Sequence, residues 1–146
     1  MDSTGGENTN RGFSLVETIV VIAIMAILIG VLAPAYLRYV EKARKQKDDT
    51  AAEEIRHAAE IVVFTGEYVV PEGLDNPVVV TFDKTNGIAI QNDPTGADLT
   101  KKLTEMFGEL SQVKPESKTY NSKVYVVSIV APTTPNGVPT MSGAWQ

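Results

Sequence analysis

The chain has 146 residues, a net charge of −5 and no cysteine. That length fits one ordinary domain. The missing thiols exclude disulfide staples, thiolate chemistry and cysteine-based zinc sites, and the acidic balance argues against a general nucleic-acid coat.

Residues 1–10, "MDSTGGENTN", are small and polar without periodicity and read as disordered. From Phe13 the pattern turns helical and stays so to about Phe64. Thr18 to Leu37 carries no charged side chain. An apolar helix of about 20 residues spans the ~30 Å hydrocarbon core of a bilayer. A signal peptide is the competing reading, but its apolar region is usually ~7–15 residues and ends at a cleavage site among small residues. Here the run continues unbroken into a charged helix, which favours an anchor.

After Pro34 the apolar positions thin into a stripe: Tyr36, Val40, Ala43, then Ala51, Ala52, Ile55, Ala58, Ala59, Val62 and Val63. The later steps of three and four residues mark one helix face. Gly66 and Pro71 supply the stop. Arg38, Lys42, Arg44, Lys45 and Lys47 form a basic collar, and Asp48, Asp49, Glu53 and Glu54 an acidic block. Two readings stand for these blocks. One is a solvated face with i,i+4 pairs of about 0.2–0.5 kcal/mol each; the other is collar meeting block on neighbouring copies.

"VVVTFD" (78–83) and "IAIQ" (88–91) are β-rich and flank "KTNG", whose Asn-Gly pair signals a hairpin. Asp98 to Val113 reads as a short helix, with Asp98 as its cap and Leu99, Leu103, Met106, Phe107 and Leu110 along one side. "KVYVVSIV" (123–130) is a third strand. The tail 131–146 is rich in proline and glycine and reads as irregular, with Trp145 pinning it to the body. A small sheet needs one face covered, and the stripe from Ala51 to Val63 has no other partner. The expected fold class is therefore α+β: a long N-terminal helical spine, its first half transmembrane, packed against a small antiparallel sheet with one extra short helix.

Two residues in the apolar run need explaining. Glu17 places a carboxylate where burial in lipid costs up to ~2.5–3.5 kcal/mol, so it is a functional candidate unless it merely reaches the headgroup layer. A cut between Gly12 and Phe13 would create an amine four residues from Glu17, one helical turn away. The same amine on an adjacent copy would fix the axial register of packed helices. Pro34 leaves the Gly30 carbonyl without its i→i−4 partner, and Gly30 is itself a poor helix former. Two weak points one turn apart predict a kink, or a segment that bends or melts between two states.

"RGFSLVETIVVIAIMAIL" resembles the class III signal sequence of type IV pilins and their pseudopilin relatives. The matching features are a basic residue, Gly12 before the cut, Phe13 after it, Glu17 at the fifth mature position, a long apolar helix, and Pro34 where the family commonly has a proline. The likeness covers residues 11 to about 40. It implies that residues 1–12 are a leader removed by prepilin peptidase, which also N-methylates Phe13. It implies storage in the membrane as a single-pass protein with the C-terminal region outside, then extraction by an inner-membrane platform and its ATPase into a helical homopolymer at the cell surface. Glu17, Gly30 and Pro34 become the assembly residues. The resulting organisation is leader 1–12, transmembrane half 13–37, amphipathic half 38–66 and globular region 67–146.

The leader has only Arg11 against Asp2 and Glu7. Taken alone, the stronger collar after the span would keep residues 38–146 on the cytosolic side; the family orientation is preferred because the cleavage signature needs the leader there. Lack of cysteine points toward a Gram-positive pilin or a pseudopilin. No nucleophile–base pair, phosphate loop or metal-ligand cluster is visible, so neither catalysis nor a cofactor is expected. His57 reads as a surface residue, and "DPTGAD" (93–98) as a turn and helix cap rather than a calcium loop. The expected function is a structural filament subunit serving adhesion, motility or attachment, with copies of itself, the peptidase, the platform and lipid as partners. The rivals are a pseudopilin of a secretion or competence machine, for which nucleic acid enters as a partner, and an anchored binding protein that never polymerises.

Overall fold

A computed structural model of the chain describes residues 13–71, 74–94, 98–133 and 137–146. The polar segment 1–10 and Gly12 therefore lie outside the described residues, as do 95–97 of the "DPTGAD" turn. The chain divides into two compact units, Met1–Tyr39 and Val40–Gln146. Helix α1, Leu15–Phe64, contributes residues to both.

In the first unit, the described residues from Leu15 on are helical throughout, including Gly30 and Pro34. The melted segment expected there is not present in this state. A single missing N–H removes one bond from a ladder whose neighbours are intact, and membrane-type helices accommodate that locally.

In the second unit, α1 ends at Phe64 because Gly66 turns left-handed at φ 76°. Its N–H bonds Val63 O at 3.3 Å and Tyr68 N–H bonds Val62 O at 3.0 Å, which satisfies carbonyls a helix end leaves open. Strands β1 (Val78–Asp83), β2 (Gly87–Gln91), β3 (Tyr125–Val130) and β4 (Thr140–Trp145) form one antiparallel sheet in the order β2-β1-β3-β4. Val78, Val80 and Phe82 of β1 and Tyr125, Val127 and Ile129 of β3 alternate inward. They form one core with Ala52, Ile55, Ala58, Ala59, Val62 and Val63 of α1. The molecule is thus α+β, a long apolar helix with its later part packed on a four-stranded sheet.

The Asn-Gly pair marks a hairpin, but only Gly87 adopts a left-handed conformation, at φ 73°. Asp83 pairs with Gly87 across a three-residue loop, and Asp83 Oδ1 accepts the N–H groups of Thr85 and Asn86 at 2.7 and 2.8 Å. This is the longer hairpin loop with a glycine bulge, not the two-residue turn. Any Cβ at Gly87 would lie 2.5 Å from the carbonyl oxygen of Leu110.

Two expectations are corrected. Helix α2 runs Asp98–Phe107 rather than to Val113: Gly108 at φ 78° breaks it, and a 3-10 turn follows at Leu110–Gln112. The tail is not irregular throughout, since Thr140–Trp145 is β4. "TMSGAW" lacks a β-branched run; its strand conformation comes from pairing with β3 and from Trp145, which packs against the core.

Replacing Ile55, which is fully buried, with alanine removes core volume that the sheet and helix cannot close over. Urea unfolding of the detergent-solubilised chain followed by tryptophan fluorescence will show a loss of about 2–5 kcal/mol. Val69→Ala, at an exposed position, will stay within about 0.5 kcal/mol of the parent.

Candidate functional site

Among the described residues, nothing covers the apolar segment of α1. Every described residue from Phe13 to Tyr39 is exposed, including Val16, Ile19, Ile22, Met25, Leu28 and Leu32. A soluble monomer rarely exposes an apolar patch larger than a few hundred Å². The segment is also long and apolar enough to cross a membrane. Lipid or other apolar helices are surroundings that such a surface suits.

Phe13 stands just ahead of the helix and is 82% exposed. Glu17 lies in the first turn, where a carboxylate is favoured by the positive end of the helix dipole. The Ser14 carbonyl accepts the N–H of Thr18 at 3.1 Å and its hydroxyl at 3.4 Å, which anchors that turn. Among the described residues Glu17 makes no ion pair. Gly30 and Pro34 sit one turn apart farther along, and a Cβ at Gly30 would meet nothing within 4 Å. Phe13 and Glu17 thus fall together at one end of the segment and Gly30 with Pro34 near the other; Gly12 is not described.

The second unit contains a set of side chains that neither reading of the charge blocks anticipated. Asp48 is 2% exposed and lies on the core stripe of α1, four residues before Ala52. Its two oxygens accept the backbone N–H groups of Glu116 and Ser117 at 2.9 and 2.7 Å. Two turns earlier, Glu41 Oε1 accepts the Ser117 hydroxyl at 2.7 Å, the Lys118 N–H at 2.6 Å and the Thr119 N–H at 3.3 Å. Asp49 Oδ1 accepts the Tyr120 hydroxyl and, at 3.1 Å, the indole N–H of Trp145. Glu53 accepts the Tyr125 hydroxyl at 3.1 Å and the Nε of Arg56 at 2.9 Å.

Four carboxylates along one side of α1 therefore hold the 116–120 loop and an aromatic group. Trp145 stacks on Tyr120 with ring centres 3.8 Å apart and planes 5° from parallel, and Tyr125 meets it edge-on at 5.3 Å. Burial and the Asp49 carboxylate push the Tyr120 hydroxyl up to about 12, and burial with Glu53 does the same for Tyr125. The Ser117 hydroxyl and the neighbouring amides hold Glu41 below its ordinary value; Arg56, then Tyr125, lower Glu53. The Lys47–Glu116 pair is exposed and screened by solvent. His57 is exposed, with Nδ1 3.1 Å from Glu60.

Residues 8–33 match the sequence model of the prokaryotic N-terminal methylation motif. A Clostridium perfringens protein named prepilin peptidase-dependent protein A is 32% identical over 120 residues, which is 80% of this chain and 79% of that one. The chain belongs to the type IV pilin-like family. No solved structure matches it.

In this pilin-like chain the apolar segment and its special residues were legible as sequence; the carboxylate set was not. One signal was present. Asp48 occupies the position where the apolar stripe of Ala52, Ile55, Ala59 and Val62 continues backward, and an acid in register with a core face is an acid with a buried partner.

Asp48→Ala will strand two backbone donors and lower stability by about 3 kcal/mol, against a smaller loss for Asp48→Asn, in urea titration. The stability of the second unit also has a defined pH profile. Glu41 and Glu53 have folded pKa values below their ordinary 4.5, so the unfolded chain binds more protons there; their contribution is present above that value and lost as pH falls through the folded values. Tyr120 and Tyr125 have folded values raised above 10.0, so their contribution is present below 10.0 and lost as pH rises toward about 12. Melting temperature against pH will be flat between, and fall on both sides.

Proposed function

We propose that the chain is a structural subunit of a type IV pilus or pilus-like filament. The observation that supports this most directly is the uncovered apolar length of α1 with a single carboxylate in its first turn. Lipid covers such a segment before assembly, and the same segments of other copies cover it afterwards. The methylation motif and the peptidase-dependent relative agree with processing of the precursor by prepilin peptidase.

Cleavage falls between Gly12 and Phe13, and the new Phe13 amine is methylated. Until then the Phe13 nitrogen is an uncharged amide; afterwards it is a cation one helical turn from Glu17. In a helical homopolymer the pairing of this cation with Glu17 of a neighbour removes two charges from an apolar surrounding, where an unpaired one is heavily penalised. The pair selects one axial register among many that apolar packing alone would accept. Gly30 and Pro34 mark where the helix loosens as an inner-membrane platform and its ATPase lift the subunit out of lipid. The C-terminal region faces outward, and its role is adhesive or structural, not catalytic. A pseudopilin would share these features and differ in filament length.

Mass spectrometry of the mature protein from its native host will show loss of residues 1–12 and one methyl group on Phe13; an intact precursor would overturn the reading. Glu17→Ala will insert and be cut but will form no filaments by electron microscopy, and normal filaments would remove Glu17 from its role. Gly30→Ala/Pro34→Ala, which restores a strong helix former and a backbone donor, will insert normally and slow filament formation.

A further inference from the structure

The charged side chains of the second unit are sorted between its two ends. Where α1 enters from the apolar segment, Lys42, Arg44 and Lys45 are exposed on the helix. Glu41 draws the loop after α2 to the same place, since it accepts the Lys118 N–H at 2.6 Å. Lys118 and Lys123 are exposed on that loop. The tip of the β1–β2 hairpin joins them. Lys84 Nζ donates to Asn121 Oδ1 at 2.7 Å, and Lys114 Nζ to the Thr85 carbonyl at 2.9 Å. Both acceptors are neutral, so both cations keep their charge.

The acids at this end face the other way. Glu41, Asp48, Asp49 and Asp83 direct their oxygens to amide, hydroxyl and indole donors of the fold itself. Glu109 and Glu116 are exposed, and Glu116 is paired with Lys47. The outward potential of this end is therefore set by its cations. Toward Phe64 the balance reverses. Arg56 is bridged by Glu53 and Glu60, and Lys102 by Glu67 and Glu105, while Glu54 and Asp75 stand exposed.

We propose that this basic end rests on the anionic phospholipid headgroups of the bilayer that holds the apolar segment. The contact presupposes the lipid-covered state proposed for that segment. Lys42 and Lys45 follow Leu37 by five and eight residues, about 8 and 12 Å along a helix. The headgroup layer is about 5–7 Å deep, and its field reaches about 8 Å farther at physiological salt. Lysines held at that level are drawn to an anionic surface. The loop and hairpin lysines widen the surface beyond what a collar on a lone helix presents. An acidic face of a second copy is the competing partner. Lipid is favoured because chain continuity keeps these cations beside the headgroups in every stored subunit. The acids toward Phe64, by contrast, are mostly bridged within their own chain. Every copy meets the membrane in the same sense, so the contact is compatible with parallel α1 helices.

The chain has no cysteine, so single thiols can carry a fluorophore without background. Ser122→Cys marks the basic end, and Thr100→Cys marks α2, where Lys102 meets Glu67. Full-length chain is placed one per nanodisc, in phosphatidylcholine alone or in equal parts phosphatidylcholine and phosphatidylglycerol. A headgroup spin-labelled lipid serves as quencher. In the anionic disc, quenching at position 122 will be severalfold stronger than at position 100 and severalfold stronger than in the neutral disc. It will fall to the neutral level at 1 M salt, where the screening length is about 3 Å. Lys42→Gln/Lys45→Gln/Lys118→Gln/Lys123→Gln will abolish the difference between the two lipids with an unchanged melting temperature. The same four positions changed to arginine will keep it. Insertion into both discs with equal quenching at position 122, or quenching that ignores salt, would overturn this contact and leave the membrane reading standing. Pairing of chains in larger discs that shields position 122 from the quencher would assign the surface to a second copy and overturn it too. A chain that enters neither bilayer would overturn the membrane reading and this contact with it.

Discussion

A carboxylate buried on the core stripe of α1 governs how the C-terminal part of the second unit is held. Asp48 accepts two successive backbone N–H groups, from Glu116 and Ser117, and so pins a loop that has no strand to dock on. Bonds to a charged acceptor are worth about twice those between neutral groups, and here the desolvation of the charge is offset by two donors with good geometry. Glu41 extends the hold to Lys118 and Thr119, and Asp49 to Tyr120. The loop thereby delivers Tyr120 to the face of Trp145, and Trp145 secures β4 on the sheet. The arrangement of this region follows from acids placed along one side of the helix at 41, 48, 49 and 53.

The same helix is used in two chemically opposite ways. From Ile19 to Leu37 it carries no charged side chain and is exposed throughout, a surface suited to lipid or to other helices. From Val40 on it is a core element of the second unit, with small residues at Ala52, Ala58 and Ala59 facing the sheet. Small side chains let the strands approach; Ile55, Val62 and Val63 fill the remaining space.

What could be read from the residues divides along physical lines. Periodicity carried the helix and the stripe Ala52–Val63, because burial there is set by side-chain polarity repeating at the period of the element; β-rich composition carried the strand at 78–83. The Asn-Gly pair carried the hairpin but not its loop length, which depends on Asp83 capping the turn with its carboxylate. Gly108 looked like one weak residue inside a helical pattern, yet its left-handed conformation ends α2. β4 was opaque because "TMSGAW" gains its strand geometry from an already formed neighbour, a tertiary effect that local propensity does not register. In the apolar segment, Phe13, Glu17, Gly30 and Pro34 stood out as departures from a uniform pattern. The carboxylate set did not, since acids beside lysines in sequence look like a solvated face until the loop that meets them is placed.

The bond from Trp145 to Asp49 joins positions 96 residues apart. Closure of so long a loop is slow, because chain entropy opposes it until many contacts form together. During synthesis the helix and β1–β2 hairpin emerge first, while the acids at 48 and 49 wait for partners still inside the ribosome. Until those arrive, the outer edge of β3 and the apolar face of Phe82 stay open to wrong neighbours. The second unit therefore closes only after β4 has been made.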